Sequence, residues 1–134
     1  MKVVLDTNVF ISGVFFTGPP YKILNAWRSG NLQIVISTEI LEEYIRVGEE
    51  LSSKYSEINL RPAIELLALN ATFITAPNLP EQVCRDSDDD KFLSCAVSGK
   101  CKFIISGDKH LLEIKEYSGV KILTPRKFIE KHLK

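Results

Sequence analysis

Short apolar runs alternate with helix-like stretches along this chain, and that alternation limits the possible folds more than any other feature. Five β-branched apolar runs predict strands buried on both faces, over residues 2–5, 33–36, 72–75, 102–105 and 120–123. Helical periodicity lies between them, over residues 21–29, 38–51, 62–70, 88–98 and 109–114. Strands that alternate with helices pair in parallel, so the sequence predicts an α/β fold with a sheet covered on both faces.

Composition narrows the class of protein. The 134 residues are 45% hydrophobic and 25% charged, which suits a single globular domain over residues 1–134. Seventeen basic residues balance seventeen acidic ones, so a nucleic-acid substrate has to be recognised at a local site. The N-terminus is too polar for a signal peptide or membrane span. Three cysteines without a CxxC pair argue against a disulfide scaffold and a zinc site, and favour the cytoplasm.

Aspartates end two of the predicted strands. Asp6 closes the run KVVLD and Asp108 closes FIISGD. Ligands of open parallel sheets bind outside the carboxyl ends of the strands, so both carboxylates are candidates for a functional site. Aspartate is also a favoured N-cap, and capping of the following helix explains either residue alone equally well.

A third acid is selected by helical phase in the run CRDSDDDKFLSCAVSG. The apolar face of the predicted helix contains Phe92, Leu93, Ala96 and Val97, and Asp89 falls in the middle of that face. Its acidic neighbours leave the register of this ligand open. The alternative is that these acids only complement the positive end of the helix, an effect of roughly 0.3 to 1 kcal/mol each.

Glu43 lies at the border of the apolar face of the predicted helix over residues 38–51, which Ser37 or Thr38 can cap. It can therefore lean over the rim of the sheet, while Glu42 faces solvent. The alternative is a solvated charge on an acid-rich helix. Nearby basic residues such as Lys91 are expected to be plain surface charges.

These four acids are predicted to converge at one edge of the sheet. Several carboxylates within about 4 to 6 Å of each other repel strongly, and a divalent cation relieves that repulsion. Oxygen ligands without thiolate or imidazole favour Mg²⁺ or Mn²⁺, as one ion or two. No GxSxG elbow, Walker A loop or GxGxxG is present. Water activated by metal is therefore the expected nucleophile, and phosphodiester hydrolysis the expected reaction.

The residues resemble the PIN-domain nuclease family over nearly the whole chain. VVLDTNVFISG is similar to the family's opening strand with its first acid, Asp6, and IVISTEILEEYIRV to the segment with the second, Glu43. DSDDDKFLSCAVSGKCKFIISGDKHLL resembles the stretch with the third and fourth acids, Asp89 and Asp108. Polar residues beside these ligands are expected to support them: Thr7, Asn8, Ser37, Ser106 and Asp86.

The resemblance implies a three-layer α/β/α domain with a five-stranded, mainly parallel sheet. It further implies Mg²⁺- or Mn²⁺-dependent cleavage of single-stranded RNA. Many small members are toxins that form homodimers and are inhibited by an antitoxin, and a short chain fits that role. Two alternatives stay open from the sequence: a catalytically silent module that binds RNA or protein, and a metal-dependent phosphatase. The second lacks support because Asn8 stands where a DxD motif requires an acid.

Overall fold

The computed structural model describes residues 1–133. Its strands are β1 (Lys2–Leu5), β2 (Gln33–Ile36), β3 (Thr72–Phe73), β4 (Phe103–Ile105), β5 (Glu116–Tyr117) and β6 (Val120–Leu123). Its helices are α1 (Thr7–Phe15), α2 (Pro19–Arg28), α3 (Thr38–Lys54), α4 (Arg61–Asn70), α5 (Asp90–Ser98), α6 (Lys109–Leu112) and α7 (Pro125–His132). A 3₁₀ turn, Ser87–Asp89, precedes α5. Every predicted strand and helix is present; β1, β2 and β6 have the predicted bounds, and the other elements have shifted ends.

The strands form one sheet in the order β3-β2-β1-β4-β6-β5. All neighbouring pairs are parallel except β5 and β6. The sheet thus has six strands, where five were expected. The extra strand, β5, is two residues long and joins β6 through Ser118 and Gly119, which both have positive φ angles of 50° and 85°. That geometry suits a tight two-residue hairpin, which is too short to produce a periodic pattern.

Two helices, α1 and α7, lie where periodicity predicted none. Most of α1 is buried, including Val9, Phe10 and Ile11, and a helix that is apolar on most sides lacks the amphipathic pattern. The start of α7 is fixed by Thr124, whose hydroxyl accepts a hydrogen bond from the Lys127 amide at 3.2 Å. Periodicity therefore does not detect α1, whereas α7 is amphipathic, with Phe128 buried and basic residues exposed, and the prediction missed it.

The core packs against both faces of the sheet. Every residue from Val3 to Leu5 and from Ile34 to Ile36 is fully buried, as expected for central strands between two helical layers. Phe10 of α1 stacks on Tyr44 of α3 with ring centroids 4.6 Å apart. The Tyr44 hydroxyl donates to the Leu5 carbonyl oxygen. These contacts hold α1 and α3 against the end of β1, next to Asp6.

The order of the strands reverses at β1. The chain adds β2 and then β3 on one side of β1, and afterwards crosses to place β4 on the other side. A reversal of strand order of this kind leaves a crevice at the carboxyl ends of β1 and β4, where open α/β sheets bind their ligands. Across residues 1–133, no helix is both long and apolar enough to cross a membrane.

Candidate active site

Ser106 joins the carboxyl ends of β1 and β4. Its hydroxyl donates a hydrogen bond to Asp6 Oδ2 and accepts one from the Asp108 amide at 2.9 Å. Asp6 and Ser106 are both buried, at 6% and 0% exposure. Two residues that are 100 positions apart in sequence are thereby held in contact, and the crevice between β1 and β4 is lined by the predicted Asp6 and Asp108.

Both strand-end aspartates are also helix caps. Asp6 Oδ1 accepts a hydrogen bond from the Val9 amide at 2.9 Å, and Asp108 Oδ1 accepts one from the His110 amide at 2.9 Å. The capping explanation is therefore confirmed for each residue. It engages a single oxygen of each carboxylate, so capping and a role in the site are compatible.

Helical phase predicted Asp89 inside the helix over residues 88–98, but in the structure Asp89 lies outside α5. The helix begins one residue later, and Asp89 is the last residue of the 3₁₀ turn. The cause is Asp86, whose side chain accepts a hydrogen bond from the Asp88 amide at 2.9 Å, while its carbonyl oxygen accepts one from the Asp89 amide at 3.0 Å. This cap winds the first turn tightly.

The acidic neighbours of Asp89 have other partners. Asp90 accepts hydrogen bonds from the Val83 and Cys84 amides at 3.1 and 2.7 Å, so it fixes the segment that leads into the turn. Asp88 is exposed and forms an ion pair with Lys91. Asp86 is exposed and caps the 3₁₀ turn. Asp89 is partly buried and accepts no hydrogen bond from within residues 1–133. Among these four acids, Asp89 is thus the one whose side chain has no hydrogen-bond or ion-pair partner within residues 1–133.

The pKa values of two of these acids are raised. Burial raises the pKa of Asp6 above its usual value, although hydrogen bonds from Ser106 and the Val9 amide lower it. Burial also raises the pKa of Asp89 to about 6, and the negative charge of Asp108 contributes next. Glu43 adds to the same effect on Asp89. The negative charge of Asp108 therefore disfavours the ionised forms of both Asp6 and Asp89.

Replacing Asp89 by asparagine is expected to stabilise the metal-free protein at pH 7.5. Because the folded-state pKa of Asp89 is raised to about 6, its favourable contribution is complete below the unfolded pKa and is lost as the pH rises through 6. The gain at pH 7.5 is about 1 kcal/mol after discounting for solvent screening, and it vanishes near pH 4. Urea unfolding in a chelator at both pH values measures the difference.

Asp88→Asn is the matched control for Asp89→Asn. A hydrogen bond from Lys91 lowers the pKa of Asp88, so its ionised form stabilises the fold above the unfolded pKa and the benefit is lost as the pH falls. The control therefore lowers stability at pH 7.5. Equal effects of the two substitutions would contradict the proposed difference between these neighbouring acids.

Glu43 leans towards the rim of the sheet, as its border position predicted, and its side chain is 12% exposed. The Thr7 hydroxyl donates to its Oε2 atom. The Lys91 ammonium nitrogen is 2.5 Å from its Oε1 atom, and the more exposed Arg46 lies 3.8 Å from the same oxygen. The hydrogen bond from Thr7 therefore connects Glu43 to the residue that directly follows Asp6.

The supporting residues differ in what they contact. Ser37 is buried and caps α3, accepting a hydrogen bond from the Ile40 amide at 3.4 Å. Asn8 is exposed, and its side chain makes no hydrogen bond to residues 1–133. The prediction that Lys91 is a plain surface charge was wrong, because its side chain is only 14% exposed. The one feature of the sequence that indicated an ion pair was the place of this lysine directly after three consecutive acids.

The donor set suits a hard divalent cation. Its atoms are carboxylate oxygens, and burial, followed by the negative charge of Asp108, raises the pKa values of Asp6 and Asp89. Within residues 1–133, however, no three Asp, Glu, His or Cys side chains are grouped closely enough to hold a metal ion. The chemistry of the residues therefore fits such an ion, although their oxygens are not gathered as ligands in this structure.

Asp6, Glu43, Asp89 and Asp108 form the proposed carboxylate cluster, and its member on α3, Glu43, also lines an acidic cleft of about 600 Å³. Six carboxylates line it, with only Arg46 and Lys91 as cations. Glu43 and Lys91 stand at its border with the carboxylate cluster. Negative potential in such a cleft repels phosphate groups, so an anionic substrate is expected to reach the cluster from another side.

The fold and this site define a class: a three-layer α/β protein with an acidic centre at the switch point of its sheet. Residues 2–110 match the family model of the PIN domain. The chain belongs to the PIN-domain family, whose members are generally nucleases that use divalent metal ions.

Two other proteins are similar to this chain, one in sequence and one in structure. An uncharacterized protein of Methanocaldococcus jannaschii is 33% identical over 141 aligned residues, which cover 97% of this chain and 90% of that protein. The crystal structure of VapBC2 from Rickettsia felis, bound to a DNA fragment from their promoter, contains a chain with a similar fold. The TM-score is 0.61 at 15% identity, covering 91% of this chain and 97% of that one. The predicted PIN-like fold is thereby confirmed.

Proposed function

We propose that this protein is a Mg²⁺- or Mn²⁺-dependent endoribonuclease that hydrolyses phosphodiester bonds of single-stranded RNA. The observation that carries the proposal is the link Asp6–Ser106–Asp108 at the switch point of a PIN-domain sheet. It supports the proposal because it connects the Asp6 carboxylate to the backbone of Asp108 at the carboxyl ends of β1 and β4, where open α/β sheets bind ligands. The charge of Asp108 also contributes to the raised pKa of Asp89, which supports Asp89 as the third acid. A structural role alone does not require uncompensated acids to face one crevice.

The proposed ligands are Asp6, Asp89 and Asp108, with Glu43 as the fourth acid. When bound, one or two divalent ions lower the pKa of an attacking water and neutralise charge on the phosphate. Ser106 orients the Asp6 carboxylate by donating to Oδ2. The cap of Asp86 fixes the turn that presents Asp89.

Thr7 and Lys91 orient Glu43 at the border of the site. Ser37 supports it indirectly, because its cap fixes the start of the helix that carries Glu43. Exposed Asn8 is proposed to contact substrate or solvent beside Asp6.

Digestion of a mixed cellular RNA pool tests the proposed function. Purified protein is incubated with Mn²⁺, with Mg²⁺ or with a chelator, and the new RNA ends are mapped. We expect internal cuts in single-stranded segments only when a divalent ion is present. A parallel assay on a generic phosphomonoester is expected to show no turnover. Cleavage that survives chelation, or phosphatase activity without RNA cleavage, would contradict the proposal.

We further propose that the protein is the toxin of a toxin–antitoxin pair in the cytoplasm, acts as a homodimer and is inhibited by an antitoxin. Similarity of its fold to a chain of VapBC2 supports this role. Expression of the chain alone is expected to arrest growth, and co-expression of a small protein encoded beside it to relieve the arrest. Light scattering tests the dimer. Normal growth with active nuclease present would argue for a role in RNA processing instead.

One observation favours a second candidate, a catalytically silent PIN-fold module that binds RNA or protein. Both oxygens of Glu43 have partners within the protein, and the acids are not gathered into a metal-binding group among residues 1–133. This candidate predicts no RNA cleavage under any of the metal conditions above, together with RNA binding that does not depend on Mn²⁺. The digestion experiment therefore separates the two functions.

A further inference from the structure

Lys91 forms a largely buried ion pair between α3 and the start of α5. Its ammonium nitrogen is 2.5 Å from Glu43 Oε1 and 3.1 Å from Asp88 Oδ2. The Lys91 and Glu43 side chains are 14% and 12% exposed, whereas Asp88 is 62% exposed. Solvent screens the contact with Asp88 much more than the contact with Glu43. Glu43 is therefore the dominant partner of Lys91.

The position of Lys91 is unfavourable without Glu43. Lys91 is the second residue of α5, where the helix dipole favours acids over cations. Its side chain is also only 14% exposed, and partial removal from water is costly for an unpaired charge. The close contact with Glu43 compensates both effects, so the two side chains depend on each other.

Both carboxylate oxygens of Glu43 have partners within the protein. Thr7 donates to one carboxylate oxygen and the Lys91 ammonium contacts the other. Glu43 therefore has no oxygen without a partner, whereas Asp89 accepts no hydrogen bond from residues 1–133. Among the four acids of the site, Glu43 alone is paired with a cation that is mostly buried.

We propose that Lys91 is an internal counter-cation that competes with the divalent ion for Glu43. The inference rests on the proposed function, because it requires a divalent ion at the carboxylate cluster. In the metal-free protein, Lys91 neutralises Glu43 and holds it at the border of the site. Glu43 joins the ligands only by giving up this ion pair, so Lys91 lowers the affinity of the site for metal and acts on it through Glu43.

Calorimetric titration of the full chain with Mn²⁺ tests this competition. Lys91→Met removes the charge and keeps the length of the side chain, and we expect it to bind Mn²⁺ about tenfold more tightly than the wild type. In a Glu43→Gln background, the same substitution is expected to change the affinity less than about twofold, because the pair that it breaks is already absent. Lys91→Arg keeps the charge and is expected to stay within about threefold of the wild type.

Lys109→Met is the matched control for the loss of a nearby positive charge. Lys109 directly follows Asp108, is exposed and forms no ion pair with residues 1–133, so its removal is expected to change Mn²⁺ affinity less than about twofold. Should Lys91→Met fail to fold, Lys91→Gln carries the same expectation.

The outcomes separate this inference from the proposed function. Unchanged or weaker Mn²⁺ binding by the folded Lys91 variant, with normal wild-type binding, overturns the competition alone. A tenfold gain that persists without Glu43 overturns it as well. Absence of Mn²⁺ binding by the wild type overturns both the competition and the metal-dependent function.

Discussion

Asp6→Asn is expected to reduce Mn²⁺-dependent RNA cleavage by at least about a thousandfold while the fold is retained. Loss of a group that supports a metal ligand costs about 10- to 100-fold, and loss of the ligand itself should exceed that range. The fold survives because asparagine caps helices as well as aspartate does, so the bond from the Val9 amide is kept. Burial disfavours the Asp6 charge, so the neutral amide is tolerated. Initial cleavage rates and circular dichroism measure both effects.

Glu50→Gln is the control for Asp6→Asn. Glu50 is an exposed carboxylate on α3 that pairs with Arg46 at 3.2 Å, and exposed pairs of this kind contribute little. Its loss is expected to leave cleavage within about twofold of the wild type. Undiminished cleavage by the folded Asp6 variant would remove Asp6 from the ligands and leave the proposed site without its central residue.

The strand-end acids could be predicted because their position follows from local sequence. An apolar run that ends in aspartate places that residue at the edge of the sheet, whichever strands are its neighbours. Ser106 was expected to support a ligand, but the local sequence does not show that its partner is Asp6. Its contact with Asp6 exists because β1 and β4 are adjacent, and that adjacency is set by tertiary packing between segments about a hundred residues apart.

Asp89 shows where a periodic argument fails. Its phase was counted on a regular α-helix, but the cap by Asp86 shortens the first turn and moves the start of α5 to Asp90. Short polar side chains compete with helical hydrogen bonds at such positions. Phe92, Leu93 and Ala96 of the predicted apolar face are buried, because they pack against the sheet, whereas the prediction was wrong for Val97, which is exposed. Only the orientation of the acids depended on the cap.

Lys91 shows a second limit. A lysine beside several acids is usually a solvated charge, so the place of Lys91 after three consecutive acids does not by itself indicate burial. Its burial follows from the packing of α3 against α5, which brings Glu43 over the first turn of α5. The identity of each charged residue is visible in the sequence, whereas the choice of partner is a property of the fold.

Ser106→Ala is expected to weaken Mn²⁺ binding and cleavage by about 10- to 100-fold, the usual cost of removing a partner of a metal ligand. The hydrogen bond from Ser106 lowers the pKa of Asp6, so its loss raises that pKa further. As the pH is lowered, the variant is therefore expected to lose Mn²⁺ affinity at a higher pH than the wild type, because protons compete with the metal for Asp6 from a higher pH. Calorimetry at several pH values measures the shift.

Ser94→Ala is the matched control for Ser106→Ala, because Ser94 is also a buried serine but bonds only the Lys91 carbonyl oxygen within its own helix. Both substitutions remove a buried hydroxyl and are expected to lower stability by about 1 kcal/mol. Only the Ser106 variant should change the pH dependence of Mn²⁺ binding. If both variants lose stability equally and neither changes that dependence, Ser106 merely joins β1 to β4 and does not tune Asp6.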